Sequence, residues 1–267
     1  MRYQRGPMDA LVTGASSGIG LELCRELARR GYSLVLVGID GPALDDVAAR
    51  LAQDFKVATQ TVVIDLARPE AAHELYAEVQ RRGLSIDVLV NNAGFFLYGD
   101  VADADPARVN AMLQLHVVTP TLLCRLFGRA MRERKTGHVL IVSSISAWAD
   151  FPGIALYGGS KRYLRSFAAS LRAELRLSGV NVTLLAPGAT ATPLYKDTAV
   201  PMETATKLGV MVPAAFVARR GVEGMLKRRA VVIPGVQATL GAWLVALLPG
   251  WIVARTRRFM WFLPRPS

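Results

Sequence analysis

Cysteine is scarce, with only Cys24 and Cys124 among 267 residues. Neither stands in a metal-ligand spacing, and both fall in helix-like stretches. A disulfide framework is thereby excluded, and both read as buried apolar residues in a reducing, cytoplasmic compartment. Histidine is equally thin: His73, His116 and His138 are scattered and form no metal cluster. Acidic residues are also in short supply, 21 against 32 Lys and Arg, which leaves a net charge of +11. No nucleic-acid recognition motif accompanies that surplus, so nucleic acid is set aside as a partner. A secretory leader is missing too, because a Gly-rich turn arrives by Gly14 before an apolar stretch can form. No repeat, low-complexity tract or linker divides the chain. The length suits one large domain over residues 9–235, preceded by a loose extension, 1–8.

What is present is an alternation. Runs rich in Val, Ile and Leu predict strands over Ala10–Thr13, Ser33–Gly38, Val57–Ile64, Asp87–Val90, His138–Val142, Asn181–Leu185 and Ala230–Ile233. Amphipathic stretches such as Leu21–Arg30, Ala43–Gln53 and Glu70–Arg82 lie between them. Strands with little polar alternation are buried on both faces, and the β-then-α order implies a parallel sheet with right-handed crossovers. The fold class is therefore α/β: a doubly wound, Rossmann-type parallel sheet of about seven strands.

Three motifs carry chemistry. The first, Thr13-Gly14-Ala15-Ser16-Ser17-Gly18-Ile19-Gly20, follows the first strand and opens a helix. Such a turn lets the backbone approach a pyrophosphate, whose charge the helix N-terminus favours. The second, Asn91-Asn92-Ala93-Gly94, follows the fourth strand, beside the point where strand order reverses. The third is Tyr157-Gly158-Gly159-Ser160-Lys161, with Ser144 thirteen residues before the tyrosine. Positions four apart share a helix face, so Lys161 sits beneath Tyr157. A phenol ordinarily titrates near ~10, and a neighbouring ammonium stabilises the phenolate. Tyr157 is then a general acid/base for a carbonyl/alcohol pair, and Ser144 a hydrogen-bond donor to the same oxygen.

In this order and spacing the three motifs resemble the short-chain dehydrogenase/reductase family over residues 9–235. The resemblance implies hydride transfer with NAD or NADP, with serine positioning substrate, tyrosine moving the proton, and lysine serving both ribose and tyrosine. Those roles fall on Ser144, Tyr157 and Lys161. The resemblance also implies that Asp65 and Leu66 lie beside the adenine, and that Pro187, Gly188 and Thr192 contact the nicotinamide carboxamide. Residues 189–212 become a substrate-covering loop whose Leu194, Tyr195, Met202, Leu208, Val210 and Met211 suggest an apolar wall. Family members pair through helices near the tyrosine, so a homo-oligomer is expected.

Two departures stand out. Many members carry asparagine where this chain has His116, and use that residue's main-chain carbonyl to hold a water near the lysine. His116 is either a direct acid/base or a helix-packing residue. At the end of the second strand, Val37-Gly38-Ile39-Asp40 offers neither the base that pairs a 2′-phosphate nor an acid at the usual place. Asp40 lies one residue late and Ser17 supplies no base, which leans the cofactor toward NAD through a ribose contact from Asp40.

Beyond the last strand, residues 236–267 form an apolar and basic tail. Val236–Ala254 carries no charge, and from Lys207 onward ten Lys or Arg stand against one acid, Glu223. Trp243, Trp251 and Trp261 are there too. The tail is read as a peripheral membrane contact, a span, or packing over the domain or between subunits. The expected activity is interconversion of an alcohol and a ketone or aldehyde on an apolar small molecule. Two other readings stand beside it: a non-catalytic dinucleotide-binding redox sensor and a membrane-associated scaffold.

Overall fold

The computed structural model describes residues 8–148, 151–193 and 211–235. Residues 1–7, 194–210 and the whole 236–267 tail, with the readings placed on them, lie outside the described residues, while Met211 is described and buried.

Seven parallel strands form the sheet: β1 Asp9–Thr13, β2 Ser33–Gly38, β3 Thr59–Val63, β4 Ile86–Asn91, β5 Gly137–Val142, β6 Val180–Leu185 and, at the far edge, β9 Val231–Val232. Their order is β3-β2-β1-β4-β5-β6-β9. A separate two-residue parallel pairing joins β7 (Thr190–Ala191) to β8 (Val212–Pro213). The helices are α1 Gly18–Ala28, α2 Gly41–Phe55, α3 Ala71–Arg81, α4 Pro106–Leu113, α5 Thr119–Glu133, α6 Ala155–Arg176 and Ala214–Leu226, here α7.

Alternate residues of the central strands feed two cores. Leu11, Val35 and Leu89 point to the face covered by α3, α5 and α6. Val12, Leu34 and Val90 point to the face covered by α1, α2 and α7. Burial on both faces explains why these strands read as continuous apolar runs. Truncating Leu11, which is fully buried, to alanine costs about 2–5 kcal/mol. At the β3 edge the pattern relaxes: Val63 is exposed, and the strand is shorter than the expected Val57–Ile64.

Three boundaries differ from expectation for identifiable reasons. Asn91 belongs to β4 rather than to the turn after it. It is buried, and its Nδ2 donates to Cys124 Sγ at 3.2 Å, a bond only residues distant in sequence can make. Helix α1 begins inside the Gly-rich motif at Gly18 rather than at Leu21, with Ser17 at its N-cap. Helix α2 begins at Gly41 because Asp40 caps it, accepting from Ala43 N–H at 3.0 Å ahead of Pro42.

From Pro106 to Glu133 the chain is helical throughout, with a π turn over Gln114–Val118 between α4 and α5. Among the described residues this is the one helical run long and apolar enough to cross a membrane by length and composition. In the fold, Leu123, Cys124, Phe127 and Met131 pack into the core beneath the sheet.

Candidate active site

The carboxyl ends of β1, β4, β5 and β6 open on one cleft of about 450 Å³. It lies where strand order reverses between β1 and β4, the expected place for a ligand in an open parallel sheet.

One wall is the Gly-rich turn. Gly14, Ser16, Ser17, Gly18, Ile19 and Gly20 all border the cleft. The fit to a dinucleotide can be tested on the turn itself. A Cβ at Gly20 would come within 2.0 Å of Gly14 O and 2.6 Å of Asn92 Nδ2, so the turn and α1 close together only without a side chain there. The first turn of α1 carries no acid to compete for its N–H groups, which leaves the positive helix end for an anion. These residues suit the pyrophosphate.

Thr13 does not border the cleft as the motif suggests. It is buried, and its hydroxyl donates to Val90 O at 3.2 Å and accepts from the N–H groups of Asn92 and Ala93 at 2.9 and 3.0 Å. Asn92 returns the tie through Nδ2 to Thr13 O at 2.8 Å. Thr13 therefore staples the two turns, while Asn92, Ala93 and Gly94 form the cleft floor.

Asp65 and Leu66 border one end of the cleft, after β3. Asp65 is exposed and accepts from Ala67 N–H at 2.9 Å. Leu66 is buried, and its carbonyl accepts from Thr119 Oγ1 at 2.8 Å. Ile39, 73% exposed, borders the same end. Asp40 does not. Its Oδ1 accepts from Ala43 N–H as the cap of α2. Among the described residues that border this end there is no Lys or Arg.

At the opposite end Ser144, Tyr157 and Lys161 come together along the cleft, with His116 beside them. Ser144 is half-buried just past β5, where its Oγ accepts from Ser146 N–H at 3.1 Å. Tyr157 and Lys161 lie in the first two turns of α6, both buried. The Lys161 Nζ stands 5.5 Å from the Tyr157 ring centroid and donates to Val142 O at 3.4 Å. Burial pushes the Lys161 ammonium down to about 8. Ser143 Oγ donates to Lys161 O at 2.9 Å, locking α6 to the end of β5. Ser143 was not singled out by sequence, although it stands directly before Ser144. Phe95 is a second missed border residue, immediately after the Asn-Asn-Ala-Gly motif.

His116 sits within the π turn, 1% exposed. Its Nε2 accepts from Phe95 N–H at 3.1 Å and its Nδ1 lies 3.1 Å from Ser160 Oγ. Burial, then the charge of Lys161, hold it well below the ordinary histidine value, so the ring is neutral. Both ring nitrogens are engaged within the protein. Beneath the ring a cavity of about 10 Å³ touches Thr13, Asn91, Thr119 and Lys161 as well as His116. That is about the size of one water.

Pro187, Gly188 and Thr192 border the cleft after β6. Thr192 Oγ1 donates to Thr190 O at 3.3 Å. Beside Tyr157, Phe96 packs edge-on at 4.8 Å between ring centroids, and Met112, Ile154, Tyr98 and Phe151 complete an apolar cluster.

A family model described as short chain dehydrogenase matches residues 9–202. The chain belongs to the short-chain dehydrogenase/reductase family. An uncharacterized oxidoreductase of Staphylococcus saprophyticus is 33% identical over 71% of this chain and 81% of its own length. The very-long-chain 3-oxoacyl-CoA reductase of Macaca fascicularis is 29% identical over 92% of this chain and 74% of its own. Among solved structures, a short-chain dehydrogenase from Sphingobium yanoikuyae in complex with NADPH superposes with a TM-score of 0.79. It is 28% identical, and the match covers 91% of this chain and 96% of that one. As a member of the short-chain dehydrogenase/reductase family, the protein is an NAD(P)-dependent oxidoreductase that acts on CH–OH groups.

Proposed function

We propose that Tyr157 is the general acid/base, Ser144 the hydrogen-bond partner of the substrate oxygen, and Lys161 the group that holds ribose and stabilises the tyrosine phenolate. The supporting observation is the joint placement of these three side chains on one cleft, with Lys161 buried beside the Tyr157 ring. A bound nicotinamide supplies the hydride in reduction and accepts it in oxidation. In reduction the Tyr157 hydroxyl gives its proton to the carbonyl oxygen; in oxidation the phenolate takes it from the alcohol. Ser144 keeps that oxygen in line during both. The Gly-rich turn and the floor from Asn92 to Gly94 hold the dinucleotide, and Pro187 to Thr192 border its nicotinamide end. Main-chain groups around His116 and the water-sized cavity favour a proton path past Lys161.

The substrate is an apolar ketone or its alcohol. The aromatic and aliphatic side chains of Phe95, Phe96, Tyr98 and Ile154 gather next to Tyr157, and a relative carries the name of a very-long-chain 3-oxoacyl-CoA reductase. The cofactor is NAD(H). The exposed charge of Asp40 and the lack of a bordering base among the described residues disfavour a 2′-phosphate, in contrast to the NADPH-bound relative. The outer faces of α5 and α6, where Tyr163 stacks on Phe167 and bonds Thr121 Oγ1, are the surface for pairing two copies. Peripheral membrane contact through 236–267 rests on the sequence pattern alone.

The test is hydride transfer. Purified protein is assayed with NADH and NADPH against 3-oxoacyl thioesters and simple aryl ketones. Turnover with an apolar ketone is expected. Dinucleotide binding without turnover on any carbonyl would leave the redox-sensor reading in its place.

A further inference from the structure

His116 joins two segments, far apart in sequence, that have to stay in register for the proposed chemistry. On one side is Phe95, the first residue after the floor of the cleft. On the other is Ser160, one turn along α6 from Tyr157 and next to Lys161. The direction of each hydrogen bond follows from the donors. The Phe95 backbone N–H can only donate, so Nε2 carries a lone pair and, in the neutral ring, Nδ1 carries the proton. Ser160 Oγ lies 3.1 Å from Nδ1, and its own O–H donates to the Tyr157 carbonyl at 2.7 Å. Amide, imidazole, hydroxyl and carbonyl thus form one chain with every proton assigned.

Three independent features keep that chain in place. The ring is 1% exposed, so it is shielded from bulk solvent. The π turn at Gln114–Val118 accommodates His116 where α4 meets α5, and such single-turn insertions recur at functional sites. Gly94 leaves room for it, since a Cβ there would come within 2.7 Å of His116 Nε2.

We infer that His116 is a positioning residue: its neutral imidazole, protonated on Nδ1, ties the cleft floor at Phe95 to the first turn of α6 and so sets the place of Tyr157 over that floor. The inference rests on the proposed role of Tyr157. It differs from proton transfer by His116, because both ring nitrogens are already bonded to Phe95 N–H and Ser160 Oγ. A rigid ring presents its acceptor and donor on different edges, so it meets the Phe95 backbone directly and the Tyr157 carbonyl through the Ser160 hydroxyl. A misplacement of about 1 Å at the reacting atoms costs on the order of 100-fold in rate.

The experiment has one arm that needs no turnover. Imidazole nitrogen NMR of the full chain should find His116 as the Nδ1–H tautomer. Amide exchange should find the Phe95 N–H protected, with protection lost in His116→Phe while the strand amides of β4 keep theirs. An Nε2–H tautomer, or an unprotected Phe95 amide in the unmodified protein, overturns the bridge. The second arm is kinetic, with the ketone and cofactor that give turnover. His116→Phe should lower kcat about 10- to 100-fold with the cofactor KM within about threefold. His116→Gln, which offers an acceptor and a donor, should recover part of the loss. Ser160→Ala should cost less than His116→Phe, and the double variant should be no worse than His116→Phe alone. Undiminished kcat in His116→Phe, or losses that add, defeats the inference. Should His116→Phe fail to fold, His116→Gln and Ser160→Ala carry the same comparison. Should the unmodified protein transfer no hydride, the functional reading fails, while the tautomer and the Phe95 amide still decide whether the bridge exists.

Discussion

Around Lys161 the cleft is buried and cross-braced: Ser143 holds the lysine backbone, Val142 its ammonium, and His116 the neighbouring serine. At Ile39 the same cleft is open. Ile39 is 73% exposed and its neighbour Asp40 spends a carboxylate oxygen on capping α2. The difference follows from what each end does. A proton and a hydride must be delivered to atoms placed within fractions of an ångström, so side chains that move them need bracing. An adenosine held far from the chemistry needs only affinity, and affinity accumulates from small, nearly additive contacts. Substitutions at the braced end should therefore be severe and coupled, and those at the open end mild and separable.

The hardest blow to the comparison comes from Tyr157→Phe. It removes one hydroxyl and keeps the ring that packs against Phe96. We expect kcat to fall on the order of 10²- to 10⁴-fold, the range for a lost general acid/base. Cofactor affinity, read by fluorescence titration, should stay within about threefold. A variant that keeps its turnover would remove Tyr157 from the mechanism.

Lys161 sharpens the comparison differently, because it trades stability for chemistry. Its ammonium is lowered from 10.5 to about 8 by burial. Below about pH 8 the folded state carries a buried charge that the unfolded chain carries in water. That cost is fully present below 8 and is relieved as pH rises toward 10.5, where both states are neutral. A shift of this size corresponds to about 3 kcal/mol. Lys161→Met should therefore abolish activity and weaken dinucleotide binding, yet stabilise the cofactor-free protein at pH 7 by roughly 1–3 kcal/mol. The gain should fade above pH 10. Chemical denaturation at both pH values checks the sign, and a loss of stability at pH 7 would contradict the cost assigned to the buried ammonium.

The two ends also differ in how much of them can be read from the chain. The sheet, its helices and the cleft position are legible because they depend on local periodicity and on motifs of adjacent residues. Gly14 to Gly20 and Tyr157 to Lys161 each lie within a few residues of one another, and a helix or tight turn brings them together by itself. The environment of His116 is not legible, since it needs residues 95, 116 and 160 to meet. Thr13 and Asn91 face inward for the same reason: their partners, Asn92 and Cys124, reach them only through sheet pairing and helix packing. Asp40 is the opposite case. Asp-Gly-Pro at a helix start is itself a local signal for a cap, and that nearby demand engages Asp40 Oδ1.

A smaller effect is expected from acid. His116 is held neutral by burial and by Lys161, and His138 is also held below the ordinary value by burial and by Arg228, with Asp87 opposing. In the unfolded chain both bind a proton near pH 6.5, while the fold resists it. Their contribution to stability is therefore complete above about 6.5 and declines as pH falls below it. Urea midpoints measured from pH 7.5 to 5 should drop, and His116→Gln should drop less steeply over that interval while keeping the share due to His138. Parallel slopes for the two proteins would show that His116 is protonated in the fold.

The mildest effects belong to the open end. Ile39 offers no hydrogen bond to a ribose hydroxyl and no charge to a phosphate, so selection there depends on the field at the rim. Asp40 places one negative charge beside that rim, and the described border holds no base to offset it. Replacing Ile39 by Arg supplies a cation that can reach a 2′-phosphate. Replacing Asp40 by Ser removes the repulsion and preserves a side-chain oxygen for the α2 cap, which limits the stability cost to a few tenths of a kcal/mol up to about 1. An exposed ion pair is worth about 0.2–1 kcal/mol and is screened by salt. The double variant should therefore move the ratio of NADPH to NADH affinity by only about 3- to 30-fold, with kcat on the preferred cofactor nearly unchanged. The two single variants should multiply to the double within about twofold, as independent contacts do. The shift should shrink between low and high ionic strength. Tighter binding of NADPH than NADH by the unmodified protein would show that a base outside the described border reaches the phosphate, and the open end would then be braced after all.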